Sequence, residues 1–307
     1  MTDNLTQTCW RGMAVTHPEA WELAVFSGRD EPGRCTFNDR IYQRLDVRWR
    51  DLTYVPNLDL ILDRYRRRSE KEKSQPVLPL PDPPEHWQGV MRPTKNGMVI
   101  YAARYYRQPR WLAEVTLIWP DRRDEHLERQ ILDSIQPQDP DTPLRHWQAL
   151  GIDMDISRPF DLTDCSAKVG RVAWTFTVPN ARKEHAHLKH SSLLVERLAM
   201  PAAWIKGSMQ DWLKDQIPSQ RKVVSEELAI FNTHRCQRLT STASAGTFST
   251  LRGVRSVWMD VAWQCPTEGR LYHLRMCERS GDESIGFPDN LAVRCCRQPP
   301  QPRLSSP

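Results

Sequence analysis

Apolar and polar side chains alternate along several short runs in the first half of the chain, which is typical of strands with one buried face. Within the run 42–49, for example, Leu45, Val47 and Trp49 fall on the same face. The strands predicted from such runs are 9–17, 21–26, 34–37, 42–49, 87–91, 98–106 and 111–119. Because the last two runs meet around Gln108-Pro109, they predict a long hairpin.

Two stretches of the first half change to the 3.6-residue period of a helix. One apolar stripe follows Pro56-Asn57 and the other lies within about 123–136. The stripes consist of Leu58, Ile61, Leu62 and Tyr65, and of Leu127, Ile131, Leu132 and Ile135. Asp121 is the residue expected to cap the second helix, and the proline-rich stretch 76–84 predicts a stiff, extended connection.

The second half of the chain repeats this order of elements more loosely. Its predicted strands are 150–156, 171–178, 228–242, 254–263, 271–277 and a run from Phe287, and its predicted helices are 186–200 and 202–216. A polar, proline-rich segment at 136–143 separates the halves. We therefore predict an α+β fold of two similar modules, 1–140 and 141–296, each an antiparallel sheet packed with one or two helices, followed by a disordered tail at 297–307.

Composition limits the possible classes of protein. Apolar residues make up 39% and charged residues 26% of the 307 residues, as in ordinary globular chains. A net charge of +5 with interspersed signs favours at most weak attraction to polyanions. The first residues are polar, and no apolar run approaches the ~18 residues of a spanning helix. We therefore predict a cytoplasmic protein with no signal peptide and no membrane span.

The eight cysteines stand at positions 9, 35, 165, 236, 265, 277, 295 and 296, and no CxxC motif occurs. In a reducing compartment this scatter predicts small buried apolar side chains rather than disulfides. Cys295 and Cys296 are adjacent, and adjacent side chains of a strand point to opposite faces. A metal shared by these two residues is therefore not expected.

The first half resembles the PsbP-like fold family. The resemblance rests on Gly12–Val15, on the Pro18-Glu-Ala-Trp21 motif that ends a strand, and on the order of strands, helix, three strands and closing helix. It covers about residues 9–136, with a weaker echo to about 278. It implies α-β-α or α+β modules that are mostly non-catalytic and dock onto other proteins, among them photosystem components, a nuclear-import GTPase and bacterial assemblies. It implies no particular functional residues.

Two sets of residues suggest chemistry, and both have an ordinary alternative. His185, His187 and His190 are dense enough to bind a transition metal, but a solvated loop or helix start is favoured because no established zinc spacing is present. Asp153 and Asp155 share one face of a predicted strand, as paired catalytic carboxylates do. Since the apolar neighbours occupy the opposite face, we expect both acids to point into water.

Two further sets suggest binding surfaces. The basic patch follows the first predicted helix and comprises Arg64, Arg66, Arg67, Arg68, Lys71 and Lys73. It is suited to phosphates or an acidic partner, or it is a solvated helix end. The hairpin surface comprises Arg104, Tyr105, Tyr106, Arg107, Arg110 and Trp111. Aromatic and arginine side chains are typical of interface anchors, although a sheet core with arginines lying over it is the simpler explanation.

No GxGxxG, GxxxxGK[ST] or GxSxG motif and no catalytic cysteine signature occurs. We therefore predict a non-catalytic, protein-binding or structural component of a larger assembly that needs no cofactor. The alternatives are a nucleic-acid-associated protein that uses the two surfaces, and a metal-dependent hydrolase that uses the histidine cluster.

Overall fold

The computed structural model describes residues 4–28, 31–71, 76–178, 191–244, 255–280, 286–288 and 290–296. The chain divides into two compact units, Met1–Ala149 and Leu150–Pro307. Antiparallel sheets with few helices make up both units, so the described fold is mostly β. No helix among the described residues is both long and apolar enough to cross a membrane.

The first unit consists mainly of a seven-stranded antiparallel sheet and a second group of four strands. Its strands are β1 (Leu5–Trp10), β2 (Met13–Pro18), β3 (Glu22–Phe26), β4 (Gly33–Asn38), β5 (Gln43–Asp51), β6 (Leu78–Pro79), β7 (Gln88–Pro93), β8 (Met98–Tyr106), β9 (Trp111–Trp119), β10 (Gln136–Pro137) and β11 (Leu144–Ala149). Its helices are α1 (Leu58–Lys71) and α2 (Glu125–Ser134). The sheet order is β3-β4-β5-β9-β8-β7-β6, and the smaller group has the order β10-β2-β1-β11.

The two faces of this seven-stranded sheet differ. On one face Leu45, Val47 and Leu117 are completely buried. On the other face α1 covers only one end, where Ile61 packs against Ala103 and Leu112. Burial of such apolar side chains is the main stabilising contribution to an element of this kind, at roughly 25 cal/mol per Å². Next to that end, the pairs Arg48–Glu114 and Asp46–Thr116 make the face polar.

The second unit is built around another seven-stranded antiparallel sheet, in the order β13-β14-β15-β19-β18-β17-β16. Its strands are β12 (Ile152–Ser157), β13 (Asp161–Lys168), β14 (Arg171–Thr177), β15 (Ser192–Leu198), β16 (Lys222–Phe231), β17 (His234–Ser244), β18 (Arg255–Cys265), β19 (Arg270–Ser280) and β20 (Ala292–Val293). Its helices are α3 (Pro201–Trp204) and α4 (Met209–Asp215). Strands β12 and β20 pair outside the sheet, and α4 packs Trp212 and Leu213 against Leu239, Ala262 and Leu271.

Most strands and both helices predicted for the first half are confirmed, with two corrections. The predicted strand 9–17 is the hairpin β1–β2, because Arg11 and Gly12 adopt left-handed φ values of 46° and 83°. Such values at both central residues are those of a two-residue hairpin turn. The cap of α2 is Asp124 rather than Asp121, since its carboxylate accepts a 3.0 Å hydrogen bond from the Leu127 N–H.

The largest errors concern the second half. The helix predicted at 186–200 is wrong over 192–198, which form β15 between β14 and β19. Leu193, Val195 and Leu198 are buried inside that sheet, and a run buried on both faces has no diagnostic period. The helix predicted at 202–216 is two short helices, and the strand 228–242 is the hairpin β16–β17, which turns at Asn232-Thr233.

Candidate partner-binding cavity and metal-ligand cluster

The uncovered part of the polar face in the first unit forms a cavity. Register pairs Asp46 with Thr116 and Arg48 with Glu114, so these four side chains share the face that α1 leaves open. The resulting polar cavity has a volume of about 310 Å³. It is lined by Gln43, Asp46, Arg48, Tyr65, Arg68, Ser69, Arg92, Tyr101, Glu114 and Thr116.

Asp46 is the most buried charge of this cavity, with 5% of its surface exposed. Its carboxylate accepts hydrogen bonds from Arg34 Nε at 2.8 Å, from Thr36 Oγ1 at 2.7 Å and from Arg48 Nε at 2.8 Å. Charge-assisted bonds of this kind offset the desolvation of a buried carboxylate. The two arginine side chains stay 37% and 57% exposed, so they connect the buried acid to water.

Glu114 holds the second carboxylate of the polar cavity. It accepts a 2.9 Å hydrogen bond from the Tyr65 hydroxyl and lies 3.4 Å from Arg50 Nη2. Burial and the neighbouring Glu114 raise the pKa of Tyr65 well above its usual value, so the hydroxyl stays protonated and donates. The Tyr65 ring stacks on Tyr101 with centroids 4.7 Å apart, which fixes the position of the donor.

The remaining charges of the cavity are positive. Arg48, Arg68 and Arg92 face two carboxylates that already accept hydrogen bonds from neighbouring side chains. Arg68 is exposed and, within the described ranges, is in no ion pair. A guanidinium held at the rim of a concave surface is suited to a carboxylate or phosphate that brings two acceptor oxygens. The cavity therefore favours an anionic group.

The predicted basic patch contributes one residue to this cavity. Its arginines lie on α1, where Arg68 lines the cavity, Arg64 and Arg67 are exposed, and Arg66 pairs with Asp63 at 2.9 Å. Lys73 and the side chain of Lys71 lie outside the described residues. The patch is thus divided, with one cation at the cavity and others on the solvated side of the helix.

The predicted hairpin surface lies at the tip of β8 and β9. Arg107 and Arg110 are exposed there, whereas Tyr106 is buried and its hydroxyl donates to the Ile135 carbonyl. Arg104 lies over the Tyr106 ring, 4.5 Å from its centroid, and the Trp111 indole donates to Asp51. The tyrosine anchors the hairpin to its own unit, so the exposed part of this surface is mainly its two arginines.

The other sequence candidates have different outcomes. His185, His187 and His190 lie outside the described residues. Asp153 and Asp155 lie on one face of β12 and reach water as expected, with 30% and 19% of their side chains exposed, but they also form an ion pair. Both bind Arg294, and the Asp153 carboxylate accepts from its Nη1 at 2.8 Å. This geometry is that of a structural ion pair.

The second unit buries a charged network between strands. His273 donates from Nδ1 to Glu196 at 2.7 Å and from Nε2 to Asp260 at 2.9 Å. Arg171 Nε also donates to Glu196 at 2.9 Å, and Arg275 Nε to Asp260 at 2.6 Å. Burial opposes the charged imidazole, but the hydrogen bonds to both carboxylates outweigh it and raise the pKa of His273. Because both ring nitrogens face carboxylate oxygens, this geometry favours the protonated ring.

Four possible metal ligands converge elsewhere in the second unit. The side chains of His234, Cys265, Cys295 and Cys296 place their ligand atoms within 4.8 Å of one another. We call this group the cysteine–histidine cluster. Cys265 and Cys295 are buried, and the other two are half-buried. Burial raises the pKa of the Cys265 thiol, but hydrogen bonds donated by the Glu268 backbone N–H and other groups outweigh it, so the pKa of this thiol is lowered.

Sequence reasoning missed this cluster and most of the polar cavity. The expectation that Cys295 and Cys296 diverge is wrong, because both lie beyond β20 in irregular backbone and both approach His234. For the cluster, the signal in the sequence was the Cys265-Pro266 turn together with the adjacent cysteines Cys295 and Cys296. For the cavity, the signal was Asp46 between Arg44 and Arg48 on a strand that has an apolar opposite face.

Comparisons with known proteins give distant structural likenesses. No protein-family model matches the chain, and no curated protein matches it. The immunity protein TplEi of T6SS from Pseudomonas aeruginosa, complexed with an "L" peptide, aligns at a TM-score of 0.36 and 8% identity over 93% of this chain and 91% of that one. The apo structure of TplEi aligns at 0.37 and 9% identity over 95% and 97%.

Proposed function

We propose that this chain is a non-catalytic protein that binds another protein, and that the polar cavity of its first unit receives an acidic side chain of that partner. The observation that carries the proposal is the cavity itself. Two carboxylates are already hydrogen-bonded within it, and Arg48 and Arg68 remain exposed at its rim. A partner carboxylate is the group that completes this arrangement.

A protein partner is favoured over a small molecule or a nucleic acid. Small-molecule pockets are mostly lined by apolar and aromatic side chains, whereas this cavity is lined mainly by polar and charged groups. The net charge of +5 with interspersed signs gives little attraction to the phosphates of a nucleic acid. Large apolar side chains are exposed in the same unit, on α1 and on the segment before it: Tyr54, Val55 and Leu60. Such residues supply the apolar area of a protein interface.

The two TplEi structures do not carry this proposal. Their titles describe an immunity protein, and one is complexed with a peptide. A TM-score of 0.36 or 0.37 is too low to transfer a function, so the argument rests on the residues of this chain. The resemblance to the PsbP-like family and the cytoplasmic location stay predictions.

We also propose that the two units are diverged copies of one module. Support comes from the strand order, because β3-β4-β5-β9-β8-β7-β6 matches β13-β14-β15-β19-β18-β17-β16 position by position. Further support comes from the helices. In each unit a helix packs against an alanine and a leucine on adjacent strands, Ala103 with Leu112 and Ala262 with Leu271. As a wider role, we propose that the protein is an accessory component of a larger protein assembly.

The test compares affinity capture from native extract by wild type, Arg68→Glu and Arg67→Glu. Both variants reverse one exposed charge of α1, but only Arg68 lines the cavity. We expect a stoichiometric protein to be retained by wild type and by Arg67→Glu, and to be reduced about tenfold or more by Arg68→Glu. The fold-change corresponds to the ~1.4 kcal/mol that one interfacial charge pair contributes.

Three results would contradict the proposal. One is equal retention of the partner by Arg68→Glu and Arg67→Glu. Another is loss of the partner only when Arg107 and Arg110 of the hairpin surface are both changed to glutamate. The third is recovery of nucleic acid alone, released steeply by salt.

A further inference from the structure

We propose that the cysteine–histidine cluster binds a Zn²⁺ ion through the Sγ atoms of Cys265, Cys295 and Cys296 and the Nε2 atom of His234. The distances support a single shared centre. His234 Nε2 lies 2.9 Å from the Cys295 sulfur and 3.3 Å from the Cys296 sulfur, and the sulfurs of Cys265 and Cys296 are 3.5 Å apart. No pair of ligand atoms is separated by more than 4.8 Å.

These separations are close to those of a tetrahedral zinc centre. Zn–S bonds of about 2.3 Å and Zn–N bonds of about 2.0–2.1 Å put ligand atoms of a tetrahedron about 3.5–3.8 Å apart. Small side-chain rotations bring the present 2.9–4.8 Å range to that value. An ordinary packing of thiols in an apolar core gives no reason for three sulfurs and an imidazole nitrogen to meet at one point.

The ligand types select the metal and the kind of site. Three thiolates and one imidazole form a soft set that prefers zinc to magnesium or calcium. Four protein ligands complete a tetrahedral shell and leave no position for a substrate, which is the arrangement of structural zinc. The histidine and cysteines thus hold the ion as a fixed cross-link.

Groups around the sulfurs are oriented to support negative charge. The Trp263 indole N–H donates to Cys295 Sγ at 3.5 Å, and the Glu268 backbone N–H donates to Cys265 Sγ at 3.5 Å. The second contact comes from the turn that joins β18 to β19. Gly269 ends that turn with φ of 62°, and its N–H donates to the Cys265 carbonyl at 2.9 Å. Donors to metal-bound sulfur orient the ligands and stabilise the centre.

The ion would connect three parts of the second unit that are far apart in sequence. His234 begins β17 beside the β16–β17 turn, Cys265 ends β18, and Cys295 and Cys296 follow the short strand β20. Zinc bound here fastens the segment around Leu291–Cys296 to the edge of two hairpins. This inference concerns the second unit alone, so it stands or fails independently of the proposed function.

The test measures zinc in the full-length chain, expressed without a histidine tag and purified without chelator. Elemental analysis is expected to give about one zinc per chain for wild type. Cys296→Ser should lower the content roughly fivefold or more, because three ligands hold zinc weakly. Cys165→Ser is the matched control, since Cys165 is also half-buried in the second unit but lies outside the cluster. It should keep about one zinc.

A second measurement uses only the wild type, so it tests the inference even if Cys296→Ser fails to fold. Wild type stripped of metal at mildly acidic pH and refilled with Co²⁺ should show the visible bands of tetrahedral cobalt–thiolate coordination. Removal of the metal should lower Tm by roughly 5–10 °C, and added Zn²⁺ should restore it.

Two outcomes would overturn the inference. In the first, wild type takes up neither Zn²⁺ nor Co²⁺, or Cys296→Ser retains the metal as well as wild type does. In the second, peptide mapping of freshly purified protein finds Cys265 and Cys296 joined in a disulfide, which would explain their short separation without a metal.

Discussion

The polar faces of the two seven-stranded sheets differ in the solvent exposure of their charged side chains. In the first unit α1 covers Leu112 and leaves the next polar position of β9, Glu114, at an open cavity. In the second unit α4 covers Leu271, and His273, two residues further along the same face of β19, is buried. The Trp212 ring meets His273 edge-on at 5.6 Å, and Arg275 donates to the carbonyl of Gln216 just after α4.

This difference explains which charges are available for binding. A sealed charge must be neutralised by its neighbours, because unpaired ions in a low-dielectric interior cost several kcal/mol each. Glu196 and Asp260 are neutralised in this way by His273 together with Arg171 and Arg275. The open face tolerates an excess of cations, since Arg48 and Arg68 remain hydrated. The available charges are therefore those of the first unit.

The largest expected effect comes from neutralising the sealed carboxylate. Asp260→Asn leaves the His273 imidazolium and Arg275 without their shared partner in a fully buried position. We expect a loss of about 3–5 kcal/mol in the free energy of unfolding. Urea denaturation is the measurement.

Asp46→Asn is the matched change on the open face. Its arginine partners are 37% and 57% exposed, so they turn to water, and we expect a loss of only about 1 kcal/mol. Equal losses for the two variants would remove the distinction between a sealed and an open face.

The next effect is a pH dependence from His273. Its pKa is raised in the folded state by Asp260 and Glu196 against the effect of burial. The stabilisation is complete below the unfolded value of about 6.5 and is lost as pH rises through the higher folded pKa. We expect Tm to fall across this window, and His273→Gln to flatten that part of the profile.

His17 of the first unit serves as the internal control. Burial lowers its pKa, and the neutral ring bonds to the Thr8 hydroxyl and the Pro18 carbonyl. The pKa shift of His17 is opposite in sign to that of His273, so protonation of His17 destabilises the fold as pH falls below about 6.5. An alkaline loss of stability that persists in His273→Gln would show that the sealed imidazolium is not its source.

The smallest expected effect concerns the Tyr65 hydroxyl. Tyr65→Phe removes the 2.9 Å hydrogen bond to Glu114 while keeping the stacking on Tyr101. Because Glu114 is reached by water and Arg50, we expect a loss of about 0.5–1.5 kcal/mol in the free energy of unfolding. Tyr42→Phe, at an exposed tyrosine, should change it by less than about 0.5 kcal/mol. A larger loss at Tyr42 than at Tyr65 would contradict the role of this bond.

Local pattern was enough for elements with one buried face. The stripe from Leu58 to Tyr65 and the alternation of Leu45, Val47 and Trp49 both predicted the observed element, because one face of each is apolar. Residues 192–198 carry buried side chains on both faces, Leu193 and Val195 on one and Glu196 and Leu198 on the other, so their period is not diagnostic and β15 was predicted as a helix. The register that places β15 between two strands is a long-range property.

The candidate sites depend even more on long-range contacts. Asp46 and Glu114 are 68 positions apart and meet only through the pairing of β5 with β9. His234 and Cys296 are similarly distant, and the turn at Asn232-Thr233 that positions His234 lay inside a predicted strand. The sequence did indicate one of the three cations that line the cavity, since Arg68 belongs to the basic patch.

The most direct test of the central claim is hydrogen–deuterium exchange of the chain with and without its captured partner. We predict that the partner protects the end of α1 and strands β5, β7 and β9 around the polar cavity. The sealed network of β15, β18 and β19 should exchange equally in both states. Protection confined to the hairpin surface, or to the second unit, would contradict the proposal that the open polar face binds the partner.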